Sequence, residues 1–213
     1  LPRKKPAEGA GAPTEGPRAP RSVAELRDLR DPKVMRALAH PIRLELLEAL
    51  GLEGPLTATQ AGEIIGETPT TCSFHLRQLQ KYGFVEDCGT PGARERPWRI
   101  KQFGHNVPDW TGEPAVDIAA GALTKVVLER TLSRLRRWWD EHVSYPPVWR
   151  DAAGLSQTIL FVTPSELKEL LSELEPFLFR YVERMEDPSK RPPGSMPVEL
   201  ILAAFPMRAP EEG

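Results

Sequence analysis

Residues 70–85 read TTCSFHLRQLQKYGFV, and this stretch restricts the fold more than any other in the chain. On a helix, Cys72, Leu76 and Leu79 stack on one face at spacings of four and three. The opposite face then carries Thr70, Ser73, Phe74, Arg77, Gln78 and Lys81, most of them hydrogen-bond donors or cations. Side chains of that kind reach base edges and phosphates in a major groove. Gly83 marks the stop, where a left-handed backbone commonly ends a helix, and Phe84 and Val85 open an extended segment.

The residues before it supply a second helix. Thr57 and Gln60 have capping-box spacing, Ala58, Ala61, Ile64 and Ile65 share an apolar face, and Gly66 closes the element. Thr68 and Pro69 start the next helix, with the proline where its missing N–H costs nothing. Thr68, Thr71 and His75, at the start and flank of that helix, join the candidate contacts. Two short helices joined through a glycine turn predict a helix-turn-helix, although any three-helix core shares the pattern. The next segment of the chain separates the two. Residues 84–87 and 98–101 can pair as strands around CGTPGARERP, a turn-rich connection with Arg94 and Arg96 at its tip. Such a hairpin after a helix-turn-helix is a wing, lying along the backbone or entering the minor groove. Residues 70–101 hold six cations and three anions inside a chain of net charge −2. That is local steering. A solvated hairpin has the same composition, so its position carries the assignment.

With these motifs in order, residues 31–100 resemble the winged-helix domain of the ArsR-type (arsenic-repressor-like) transcriptional regulators. Residues 38–47 (LAHPIRLELL) resemble that family's opening core helix, and 71–79 (TCSFHLRQL) followed by 82–85 (YGFV) its recognition helix and exit. The resemblance covers about a third of the chain. It implies a winged helix that binds double-stranded DNA sequence-specifically, usually as a repressor released by a ligand. A small-molecule effector of unassigned chemistry is therefore among the expected partners. The best-known members sense metals through Cys-x-Cys on the helix before the turn, and 58–65 contains no cysteine. Cys72 and Cys88 lie 16 residues apart and match no zinc pattern. Asp140 and His142 lack the second histidine of the family's other common site. No metal and no cofactor is expected, and the free cysteines read as small hydrophobes.

His40, before Pro41, sits at a helix entry, and His75 can pack under the wing or touch a phosphate. Arg43, Glu45 and Glu48 read as the wet face of a core helix. No catalytic triplet, paired acids or phosphate loop can be placed on these elements, so an enzyme is not expected. Residues 1–110 carry net charge +2 and 111–213 carry −4, which assigns DNA contact to the first half. No run of 18 apolar residues occurs, so no membrane partner is expected, and two cysteines form no disulfide framework. A cytoplasmic protein is the expectation. The chain begins at Leu1 and not at methionine, which leaves room for an upstream segment.

The expected class is α+β. Residues 1–21, with five prolines and no aromatic, read as a disordered tail. A winged helix-turn-helix domain spans 22–103, with a helix over 23–29 capped by Ser22 and another from Asp31-Pro32 to about 39. After an irregular crossing at 104–113, a helix over 114–142 carries Val116, Ala119, Ala120, Leu123, Val126, Val127, Leu135, Trp138 and Trp139 as an apolar stripe. Such a stripe suits a dimerisation helix, or packing against the chain itself. Residues 155–207 predict a small strand-helix-strand lobe, with strands at 156–162 and 197–206 and a helix over 164–186 that Pro176 interrupts. Thr163 and Glu166 have capping-box spacing at its start, and Leu167, Leu170, Leu171, Leu174, Leu178, Tyr181, Val182 and Met185 are expected to face inward. Trp110, Trp138, Trp139, Tyr145, Trp149 and Phe161 could line an aromatic pocket. Two readings stand: a homodimeric regulator on an inverted-repeat operator, and a winged-helix protein-interaction module without DNA binding.

Overall fold

The computed structural model describes residues 19–89, 96–108 and 110–208. In chain order the elements are β1 (Arg27–Asp28), α1 (Pro32–Leu38), α2 (Pro41–Glu53), α3 (Ala58–Ile65), α4 (Pro69–Lys81), β2 (Val85–Asp87), β3 (Trp98–Ile100), β4 (His105–Asn106), α5 (Pro114–Glu141), α6 (Pro147–Ala152), α7 (Pro164–Leu178) and α8 (Glu183–Glu186).

Local chemistry sets most helix starts. Asp31 accepts from the Lys33 amide ahead of α1. Thr57 and Gln60 close a reciprocal capping box on α3, and Thr68 accepts from the Thr71 amide at the start of α4. Each cap satisfies an amide that the helix leaves without a partner, which is worth about 1 kcal/mol. The connection between α3 and α4 is tight for a reason the pattern of apolar residues does not reveal. A Cβ on Gly62 would lie 2.5 Å from the Glu67 carbonyl oxygen, so only glycine lets the chain double back there. Gly66 then takes the left-handed conformation at φ 75°.

Helices α2, α3 and α4 enclose one core with the wing. Met35, Leu46, Leu76, Leu79, Phe84 and Val85 are essentially inaccessible to water. β2 and β3 pair antiparallel with Val85 opposite Ile100 and Asp87 opposite Trp98, and Leu56 adds a bridge to Trp98 on the outer side. The winged helix predicted from sequence is therefore present, with strands within a residue of the expected bounds.

The structure corrects several expectations. Residues 23–29 form one 3-10 turn, Val23–Glu25, and then β1, which runs parallel to β4 inside the stretch expected to be irregular. Pairing wins because it satisfies the Leu29 amide at 2.9 Å from the Asn106 carbonyl while Leu29 enters the core. The tail expectation fails at its end: Ala19 is buried with its amide 2.6 Å from Glu186, and Arg21 pairs with Glu183 and Glu186. Residues 1–18 of that expected tail lie outside the described residues.

α5 carries two apolar faces where one stripe was expected. Val116, Ala119, Ala120 and Leu123 are buried against α1 and belong to the chain's own core. A second face, roughly opposite by helical angle, holds Leu128, Leu132, Leu135 and Trp139 at spacings of four, three and four. Leu128, Leu132 and Trp139 are exposed.

The C-terminal region docks through polar clamps. Glu175 accepts from the Val23 amide at 2.6 Å, and Arg191 donates to the Leu52 carbonyl at 3.1 Å. α7 has the expected Thr163–Glu166 capping box and ends two residues after Pro176, and α8 resumes at Glu183. The two predicted strands are absent: residues 153–163 and 195–206 run without helix, turn, bend or ladder. The expected inward face of 164–186 is also only partly inward, since Val182 is buried but Tyr181 and Met185 are exposed.

Candidate nucleic-acid interface

α4 presents two chemically distinct faces. Cys72, His75, Leu76 and Leu79 point into the core, and Thr70, Phe74, Arg77 and Lys81 stand exposed on the other side. Ser73 and Gln78 are half-buried on the flanks of that outer face. Arg77 makes no ion pair among the described residues. Lys81 rests its ammonium 5.6 Å over the Tyr82 ring, which leaves its charge available to an anion. Phe74 is 55% exposed and stands edge-on to His75 at 5.1 Å. An exposed aromatic amid donors suits a thymine methyl or a sugar better than water. The hydroxyls of Thr68 and Thr71 lie 2.9 Å apart, so part of their hydrogen-bonding capacity is spent capping the helix.

His75 does not belong to the outer face. It is 7% exposed, its Nδ1 accepts from Arg43 Nε at 3.3 Å, and its ring lies 4.5 Å from that of His40. Burial first, then the neighbouring His40 and Arg43, holds its pKa below the ordinary histidine range. His40 is lowered by the same burial and by Arg43. The buried His75 ring on α4 and the half-buried His40 ring at the start of α2 thus pack against each other inside the domain. Arg43, read from sequence as a solvent-facing cation, instead ties three helices together, since its Nη1 also donates to the Ala37 carbonyl at 2.5 Å. Glu48, read the same way, pairs with Arg130 and Arg134 of α5. No spacing rule finds these roles, because each partner lies on another element.

The wing is described only at its base. Arg94 lies outside the described residues. Arg96 is half-exposed and pairs with Asp87 at 2.9 Å, and Arg99 pairs with Glu86 at 2.7 Å across the ladder. Among the described residues of this window, Arg77, Lys81 and Lys101 are exposed cations that make no ion pair. The cue for the Arg96 pair was an acid and a base flanking one turn-rich connection.

Cys72 is fully buried, and burial pushes its thiol up, with Glu67 adding to the shift. Burial also raises the Cys88 thiol, whose Sγ donates to the Pro97 carbonyl at 3.3 Å. Neither thiol is primed as a thiolate ligand. Among the described residues no three His, Cys, Asp or Glu side chains gather to hold a metal, and no helix is long and apolar enough to cross a membrane. The six aromatics do not converge: of them only Trp139 lines the open apolar recess formed with Leu135, Arg136, Asp140 and Leu155, while Trp110 and Phe161 face solvent.

A family described as a helix-turn-helix domain matches residues 38–88, which span α2 to β2. No curated protein matches the chain. Among solved structures, the chain is similar to the homodimeric winged helix-turn-helix DNA-binding domain of a possible ArsR-family transcriptional regulator from Mycobacterium bovis, at 27% identity over 46% of this chain and 76% of that one, TM-score 0.29. Reduced HlyU from Vibrio cholerae aligns at 18% identity over 45% and 87%, TM-score 0.28. A mutant of ZitR from Lactococcus lactis aligns at 17% identity over 64% and 72%, TM-score 0.25.

Proposed function

We propose that this chain is a cytoplasmic, non-enzymatic transcriptional regulator of ArsR type, which binds an inverted-repeat operator as a homodimer. The observation that carries the reading is the division of α4. Its inner face is sealed in the core, while Thr70, Phe74, Arg77 and Lys81 are exposed beside a two-stranded wing. A rigid helix offering donors, a cation and an aromatic on its open side reads base edges, and the wing holds register on the backbone.

The homodimer reading is supported by α5. Leu128, Leu132, Leu135 and Trp139 repeat at coiled-coil spacing on the face turned away from the core. A single winged helix covers little DNA, and a two-fold dimer matches two half-sites.

Selection of bound sequences from random duplex DNA tests the whole reading. The expected product is an inverted repeat. Arg77→Ala and Gln78→Ala should each reduce discrimination between selected and random duplexes by about 1–3 kcal/mol. Arg96→Ala should weaken all sequences alike and flatten the salt dependence by about 0.9 in log–log slope if the arginine leaves Asp87 for a phosphate. Recovery of no preferred sequence, with binding to DNA absent at low salt, would leave the winged helix as a protein-interaction module.

A further inference from the structure

The C-terminal region contains two segments whose backbones have no partner. Residues 155–162 (LSQTILFV) and 198–205 (VELILAAF) each run eight residues without helix, turn or bend. No backbone hydrogen bond within the chain involves either segment among the described residues. Both are bounded by residues that resist a regular ladder, the first by Gly154 and Thr163-Pro164, the second by Pro197 and Pro206. Their compositions are β-branched, leucine-rich and nearly uncharged, with Glu199 the sole charge. Such a stretch left open is a pairing edge without the charges that ordinarily blunt one.

The side chains tell the same story. Phe161 is 102% exposed, Val198 70% and Leu200 69%. Ile159 and Leu160, pointing to opposite sides of any strand, are both exposed. Strands apolar on both faces are buried on both faces in a finished sheet.

The two segments are also held in place beside one feature. Leu155 lines the recess over Leu135 and Trp139, on the outer stripe of α5. Glu199 accepts from Thr131 and pairs with Arg134, so the second segment is pinned along the same half of α5. With its one charge already neutralised inside the chain, the second segment offers no electrostatic handle to a charged partner. The first segment thus starts at, and the second is pinned along, the stripe assigned above to the dimer.

We infer that a second copy of this chain completes these strands: 155–162 of one protomer pairs with 198–205 of its partner, and reciprocally about the two-fold axis. Equal strand lengths allow the ladder to close without overhang, and an isologous arrangement satisfies both segments in both copies. The two segments and the four stripe residues amount to twenty residues a side. A stable interface engages roughly 20–30. The inference rests on the homodimer reading and adds to it the C-terminal sheet.

The test uses the full chain. Sedimentation equilibrium should give a dimer, with Leu200→Glu plus Leu202→Glu raising the dissociation constant at least tenfold. Leu160→Glu should act in the same direction. All three positions are exposed in the single chain, so the winged helix should keep its melting behaviour. Independently of any variant, amide exchange at 157–161 and 199–204 in the wild type should be slow above the dissociation constant and fast on dilution below it. A dimer whose affinity changes less than twofold in these variants, yet falls apart in Leu128→Glu plus Leu132→Glu, overturns the strand exchange and leaves the α5 dimer intact. Protection that does not depend on concentration means the segments pair within one chain, and also overturns it. A wild-type monomer, free and on DNA, sinks this inference together with the homodimer.

Discussion

In the winged-helix half Leu46, Leu76, Leu79, Phe84 and Val85 are withdrawn from water, whereas beyond α5 Leu155, Phe161, Val198, Leu200 and Phe205 stand in it. Three of the large exposed apolar side chains among the described residues (Val23, Ile64 and Phe74) precede Trp110, and all the others lie from Trp110 onward. The contrast is not one of composition, since both regions are rich in leucine and valine. It is one of closure. Three helices and a hairpin can surround a core by themselves, but α6, α7 and α8 with two unpaired extended segments have no second layer to cover them. Polar clamps hold the second region to the first: Arg21 to Glu183 and Glu186, and Arg191 to the Leu52 carbonyl. Exposed ion pairs of that kind position an element and contribute little stability, about 0–1 kcal/mol each.

If the difference is one of closure, truncation inside the core and at the surface should diverge sharply. Leu79→Ala is expected to cost about 2–5 kcal/mol, through lost transfer energy plus a cavity between α4 and the wing. Phe161→Ala should change the stability of a dilute monomer by no more than about 0.5 kcal/mol. Urea unfolding of both variants measures the gap, and equal losses would show that the C-terminal segments are buried within one chain.

Acid offers a second way to sharpen the comparison, because the buried His75 and the half-buried His40 and His105 lie in the first region. His105 stands edge-on to Phe84 at 4.9 Å, and Arg27 lies 5.5 Å over the same ring. Burial chiefly, and the Arg27 charge, lower its pKa to about 4. A folded pKa below the ordinary value of about 6.5 means the unfolded chain binds the proton first. The stability that neutral His105 contributes is therefore present above pH of about 6.5 and lost as pH falls toward 4. Its size is on the order of 2–3 kcal/mol. His40 and His75 act in the same direction, so the wild type is compared with His105→Gln. The loss between pH 7 and 4.5 should shrink by that amount in the variant, and identical pH profiles would remove His105 from the account.

A smaller effect is expected at the turn. Gly62→Ala removes a flexible residue from a helix, which alone favours folding by up to about 1 kcal/mol. Its methyl group would meet the Glu67 carbonyl at 2.5 Å, and overpacking of backbone costs about 1–3 kcal/mol. A net loss of about 1–2 kcal/mol in thermal or urea unfolding is expected. A gain would mean that the α3–α4 turn is looser than its geometry.

The elements that were legible in advance share one property: their determinants are local. Thr57 with Gln60, Thr163 with Glu166, and Pro69 behind Thr68 sit within one helical turn of what they satisfy, so spacing alone revealed them. The inner face of α4 was legible because Cys72, Leu76 and Leu79 share a face by periodicity. What was missed depends on residues far apart in the chain. Whether His75 faces DNA or the core turns on Arg43 and His40, and whether Arg96 is free turns on Asp87. The two faces of α5 merged into one stripe because hydrophobicity marks what leaves water and not what covers it. The same limit applies to 155–162 and 198–205. Their amino acids specify strands, but a strand is made by its partner, and none lies among the described residues of the single chain. The sequence by itself thus determined the helix-turn-helix, its caps and the polar face of α4, through interactions that act over one or two turns. Tertiary structure alone decided which histidines, arginines and apolar stripes are spent inside the molecule, because burial and ion pairing depend on neighbours brought together only by folding.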